Sequence, residues 1–144
     1  MDTTDTTELL RECNAGIKMG IDTIESVLER VENRGFYAIL KTCKDEHIKL
    51  EAKTGALLQE FGEESKEPNP IAKGMSYMKT NVKTVLEPGD KTIADLVTDG
   101  CHMGVKSLER YLNQYENAEQ RVKAIAEKLI KIEKNLADDI AAYL

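Results

Sequence analysis

Residues 120–144, QRVKAIAEKLIKIEKNLADDIAAYL, decide the fold. Val122, Ile125, Leu129, Ile132, Leu136, Ile140 and Tyr143 recur at steps of three and four, with charged residues filling the gaps. That spacing places one apolar stripe along an α-helix, whereas a half-buried strand would alternate at every second residue. Upstream, the same period returns as Ile93, Val97, Cys101, Gly104, Leu108, Tyr111 and Tyr115. It returns again as Phe36, Leu40, Cys43, His47, Leu50, Thr54, Leu57 and Phe61, and as Leu10, Cys13, Ile17, Ile21, Ile24, Leu28 and Val31. No stretch sustains a period of two, so the chain reads as all-α.

The punctuation between these seams sets the topology. Thr6 or Thr7 can cap the first helix, with Glu8 at the positive end of its dipole. Asn33-Arg34-Gly35 supplies a turn, Gly35 tolerating the left-handed conformation that helix ends often need, and Gly62 stops the second helix. Glu63–Pro70 reads as a linker, and Ile71–Leu86 as a shorter amphipathic helix with Met75, Met78, Val82 and Val85 on one face and Lys73, Lys79 and Lys83 among the others. Pro88-Gly89 ends that helix, Asp90 can cap the next, and a break near Asn117 precedes the last. Four helices of about 25 residues span roughly 35–40 Å each, matched lengths for a four-helix bundle. Hairpins 6–62 and 90–144 are joined by about 28 residues, enough to cross from one end of a bundle to the other. The expected architecture is therefore one ferritin-like four-helix-bundle domain over residues 1–144, two antiparallel hairpins with a crossover helix.

Composition narrows the function classes. The chain has 144 residues, 41% hydrophobic and 32% charged, too apolar for intrinsic disorder. Its 26 acidic and 20 basic residues give a net charge of −6, which argues against nucleic acid as a partner. Uncharged runs such as Gly100–Val105 reach only six residues, against the roughly 20 that a membrane span takes. The acidic start, Met1 to Glu8, lacks the apolar core of a secretory signal, and three cysteines without paired spacing suit a reducing compartment. A cytoplasmic location follows as the expectation.

Cys13-Asn14-Ala15-Gly16-Ile17-Lys18 and Cys101-His102-Met103-Gly104-Val105-Lys106 share four positions at an offset of 88, which suggests a duplicated hairpin. Gly16-x-x-x-Gly20 and Gly100-x-x-x-Gly104 add to this, since a glycine inside a helix costs about 0.5–1 kcal/mol relative to alanine and so needs a reason. Small residues four apart let helix backbones approach closely. The expectation is a close crossing of the first and third helices, with Gly16 facing Gly104 and Gly20 facing Gly100.

Several constellations bear on chemistry. A di-iron centre in such a bundle takes a Glu from each of two helices and a Glu-x-x-His from each of the other two. Here Lys44 stands three residues before His47, and Asp99 three before His102 but on the third helix, so no conventional di-iron site is expected. Cys43, His47, Asp99 and His102 form an alternative metal set, with Cys13 roughly 18 Å away along the axis and out of reach. The competing reading has buried cysteines acting as small hydrophobes and His47 bonded to a carboxylate. Lys18 and Lys106 read as a possible anion-binding pair, against lysine stems lying along the seam with their ammonium groups in water. No phosphate loop, nucleophile elbow or Cys-x-x-Cys occurs. No catalytic residues and no cofactor are expected. A binding or structural protein, most simply a homodimer with an unknown small-molecule ligand, leads over a divergent metalloprotein.

Asp99-Gly100-Cys101-His102-Met103-Gly104-Val105-Lys106-Ser107-Leu108, Tyr111-Leu112-Asn113-Gln114-Tyr115 and Lys79-Thr80-Asn81 resemble a clostridia-like group within a bacterial family of unknown function. The resemblance covers nearly the whole chain and implies a ferritin-like bundle in the cytoplasm. Relatives in that wider family hold Glu where this chain has Lys18 and Lys106, and no established activity comes with the resemblance.

Overall fold

The structure, a computed structural model, describes residues 3–62 and 89–144. Four helices, α1 (Thr3–Leu28), α2 (Arg34–Glu60), α3 (Asp90–Gln114) and α4 (Gln120–Ile140), are closed by a single 3-10 turn at Ala141–Tyr143, and no strand occurs among the described residues. The linker expected at Glu63–Pro70 and the amphipathic helix expected at Ile71–Leu86 lie outside the described residues.

The seams fold inward as their spacing requires. Leu10, Cys13, Ile17, Ile24, Phe36, Leu40, Ile93, Val97, Val122, Ile125, Leu129 and Ile140 are all buried. Each large aliphatic removed from water contributes about 1.5–3 kcal/mol, so this shared core holds the helices together. At the end of α2 the seam shifts by one residue, burying Leu58 rather than Leu57. Steps of three and four average less than the 3.6 residues of a turn, and the drift is corrected by one extra step of four.

Polar latches at the two ends fix the direction of every helix. The Asp90 carboxylate, in the first turn of α3, accepts the backbone N–H groups of Glu32 (2.9 Å) and Asn33 (2.8 Å) in the α1–α2 turn. At the opposite end Asp5 accepts the Asn117 N–H (3.1 Å) and the Thr6 hydroxyl accepts the Glu119 N–H (2.9 Å). Each hairpin's turn is thus satisfied by the first helix of the other hairpin. Arg121 at the start of α4 donates to Glu60 (3.1 Å) at the end of α2, and Tyr143 stacks on Phe36 at 4.8 Å. Taken with the chain order, these contacts make α1 antiparallel to α2 and α3, and parallel to α4. α1 packs against all three other helices, and α2 and α3 lie on the wide diagonal. Gly62 and Gly89 therefore stand at opposite ends of the bundle.

Three local expectations are corrected. Thr6 lies inside α1, buried, with its hydroxyl serving the distant α3–α4 turn instead of a cap. Asn33, not Gly35, shapes the first turn: its side chain accepts the Phe36 N–H at 3.0 Å and α2 starts at Arg34. Gly35 is small for another reason, since a Cβ there would stand 2.9 Å from the Tyr143 hydroxyl. Asp90 is the first helical residue, with Gly89 (φ 134°) before it, so its carboxylate is available to the neighbouring turn. Gly62 does end α2 as expected, with φ at 70°.

Candidate functional site

All four helices contribute to one polar cluster in the middle of the core. His47, on the apolar seam of α2, is completely buried. Its Nδ1 lies 2.8 Å from the Cys43 carbonyl oxygen one turn back, and its Nε2 lies 3.0 Å from Oε1 of Glu133 on α4. A carbonyl oxygen only accepts, so Nδ1 carries a hydrogen; an ionised carboxylate also only accepts, so Nε2 carries one too. Both ring nitrogens then donate and the ring is an imidazolium. Burial, the largest single influence, opposes that charge, but hydrogen bonds to Cys43 and to Glu133, with a further electrostatic contribution from Cys43, outweigh it and push the His47 pKa up to about 10.

α1 supplies the room. A Cβ on Gly20 would stand 2.8 Å from Cδ2 and Nε2 of His47, so only a hydrogen fits against that side of the ring. On α3, Gly104 lies beside Glu133, where a Cβ would sit 3.8 Å from the carboxyl group. Gly16 and Gly100 have nothing within 4 Å of where a Cβ would be, and both are exposed. The expected pairing of Gly16 with Gly104 and Gly20 with Gly100 is therefore not what the bundle contains. Gly20, half-buried, makes room for an ion pair between α2 and α4, which a helix-crossing motif on α1 and α3 alone does not reveal.

The three cysteines occupy different surroundings. Cys43 Sγ lies 3.6 Å from His47 Nδ1 and lines a groove of about 310 Å³ between α2 and α4, beside Glu46, Asn135 and Asp139. Cys101 interacts with the Glu133 carboxylate; burial first, then that negative charge, raises its pKa well above the usual thiol range. Cys13 is fully buried, and burial together with Glu12 pushes its pKa up to about 12. Two helical turns from His47, Thr54 donates to the side-chain oxygen of Asn14 at 2.6 Å, a second buried polar contact between α1 and α2.

Glu133 is the hinge of the arrangement and sequence reasoning missed it. It follows Ile132 on the cleanest seam of the chain, four residues after Leu129 and three before Leu136, and that flanking position was its signal. Its side chain is 15% exposed and reaches a groove of about 660 Å³ between α3 and α4. His102, Lys106, Arg110 and Lys134 line that groove, balanced by Glu109, Glu133 and Asp138. Lys18 is not among its lining residues, so the structure does not assemble Lys18 and Lys106 into one anion pocket there.

The proposed metal ligands separate in the same way. Cys43 and His47 share the core cluster, while Asp99 and His102 are exposed on α3. Among the described residues no group of three or more His, Cys, Asp or Glu side chains is arranged to hold a metal ion. Donor chemistry also argues against a di-iron centre: beside His47 stand one carboxylate and Gly20, and Lys44, three residues before it, pairs with Glu25 at 3.2 Å.

No protein-family model matches the sequence, and no curated protein does. Among solved structures the fold matches the crystal structure of a DUF305 fragment, a domain of unknown function, from Deinococcus radiodurans, with a TM-score of 0.75 and 13% identity over 96% of this chain and 93% of that chain. At that identity the likeness is one of fold. Among the described residues, no helix is long and apolar enough to cross a membrane.

Proposed function

We propose that this chain is a single ferritin-like domain of binding or structural use, a cytoplasmic homo-oligomer, most simply a dimer, that performs no catalysis and holds no di-iron centre. The direction of the helices supports the ferritin-like reading: α2 ends and α3 starts at opposite ends of the bundle. The reciprocal latching of the two turns supports a duplicated hairpin. The observation that carries the functional reading is the state of His47, whose two nitrogens are already committed to the Cys43 carbonyl and the Glu133 carboxylate. A metal would have to displace one of these partners inside a packed core.

The shared core position of Cys43 and His47 is what supports one second reading, a divergent metalloprotein using these two with His102 and nearby acids. Elemental analysis of protein purified without a metal-affinity tag separates the two. The proposed function predicts substoichiometric iron, manganese and zinc, and no change of Tm on adding them. One metal per chain would establish the second reading instead. Light scattering across a dilution series tests the oligomer, and a monomer at every concentration would remove it.

A further inference from the structure

Cys43, His47 and Glu133 lie in a line across the core: Sγ 3.6 Å from Nδ1, then Nε2 3.0 Å from the carboxylate. This is the order of nucleophile, imidazole and orienting acid that activates thiols, with the acid fixing the ring and its charge. The line joins two grooves on either side of α4, Cys43 opening into the α2–α4 groove and Glu133 into the α3–α4 groove. The Nδ1 hydrogen faces both the Cys43 carbonyl oxygen at 2.8 Å and its sulfur at 3.6 Å, so the sulfur lies beside a ring N–H donor. The acidic neighbours of the other two thiols are Glu12 for Cys13 and Glu133 for Cys101, and each disfavours a thiolate. The charged groups lining the Cys43 groove, Glu46 and Asp139, are both acidic. An anionic reagent is repelled there and a cationic one is drawn in.

We infer that Cys43 is a thiol–disulfide exchange site for small cationic disulfides, held ready by His47 and Glu133. The Cys43 sulfur, its proton lost to water, attacks one sulfur of the disulfide. A new sulfur–sulfur bond forms to Cys43, the old one breaks, and the other half leaves as a thiolate that takes up a proton. No oxidant beyond the disulfide is consumed.

The probe is cystamine, added to the native full-length chain at neutral pH, with each cysteine followed by peptide mass mapping over time. Cys43 should form its mixed disulfide at least about tenfold faster than Cys13 or Cys101. Cystamine should outpace the dianionic dithiodiglycolate at Cys43, reversing at most weakly on a denatured control. E133Q, which keeps the shape and removes the charge, should slow Cys43 severalfold while circular dichroism stays native. Reaction of all three cysteines together, first reaction at Cys13 or Cys101, or no reaction without denaturant would overturn the proposal. So would a folded E133Q that leaves the Cys43 rate unchanged.

Discussion

Between α1 and α2 the apolar packing is interrupted twice, roughly 10 Å apart along the axis. At one level the Thr54 hydroxyl donates to Asn14, and at the other the ring of His47 lies against Gly20. The Asn14–Thr54 contact is neutral, involves two helices and is sealed. The His47 contact is charged, draws in Glu133 from α4 and leads to solvent on both sides of that helix. A neutral hydrogen bond satisfies itself locally, but a buried charge needs a counter-charge, and the counter-charge must come from wherever the fold can deliver one. One insert therefore specifies how two helices register, and the other ties the two hairpins together.

The largest effect should come from removing the counter-charge. E133L leaves the imidazolium unpaired in the core and should lower the unfolding free energy by about 3–5 kcal/mol in urea titrations. A loss no greater than that of the neutral contact would mean the pair carries no charge. Next comes pH. The folded pKa of His47 is raised above its ordinary value of 6.5 to about 10, so its contribution is complete below about pH 6.5 and is lost as pH rises through 10. Stability should fall by on the order of a few kcal/mol across that window, and E133L should flatten the fall.

Smaller changes sharpen the contrast. T54V keeps the shape but strands the Asn14 amide, costing about 1–3 kcal/mol with no added pH dependence. G20A should cost about 1–2 kcal/mol, because the new methyl meets a ring pinned at both nitrogens and the helix-propensity gain offsets only part of that. G16A should raise stability by about 0.5–1 kcal/mol, as Gly16 is exposed within α1 with open space where its Cβ would be. Thermal melts compare the two glycines directly, and a destabilising G16A would restore the close helix crossing that the structure lacks.

Some of this was legible before any coordinates. His47 stood out as a polar residue on an apolar seam, and glycines inside helices announced that something needed space. What they made room for was not legible, because the expected partner of glycine was glycine. Glu133 is 86 residues from His47, and a charge beside an apolar seam usually belongs to the solvated flank. Likewise Asp90 and Thr6 looked like caps for their own helices, the local use that those residue types favour. Their oxygen atoms instead serve turns 57 and 113 residues distant.

The residue order alone settled what depends on neighbours a few positions apart: helical period, inward faces, and where Gly62 ends α2. These follow from backbone geometry and from the exclusion of apolar surface from water, both of which repeat along the chain. Which helix would answer the charge of His47, and which glycine would lie against it, was decided only when four helices met, since a buried charge selects its partner by distance in space and sequence separation carries no record of that distance.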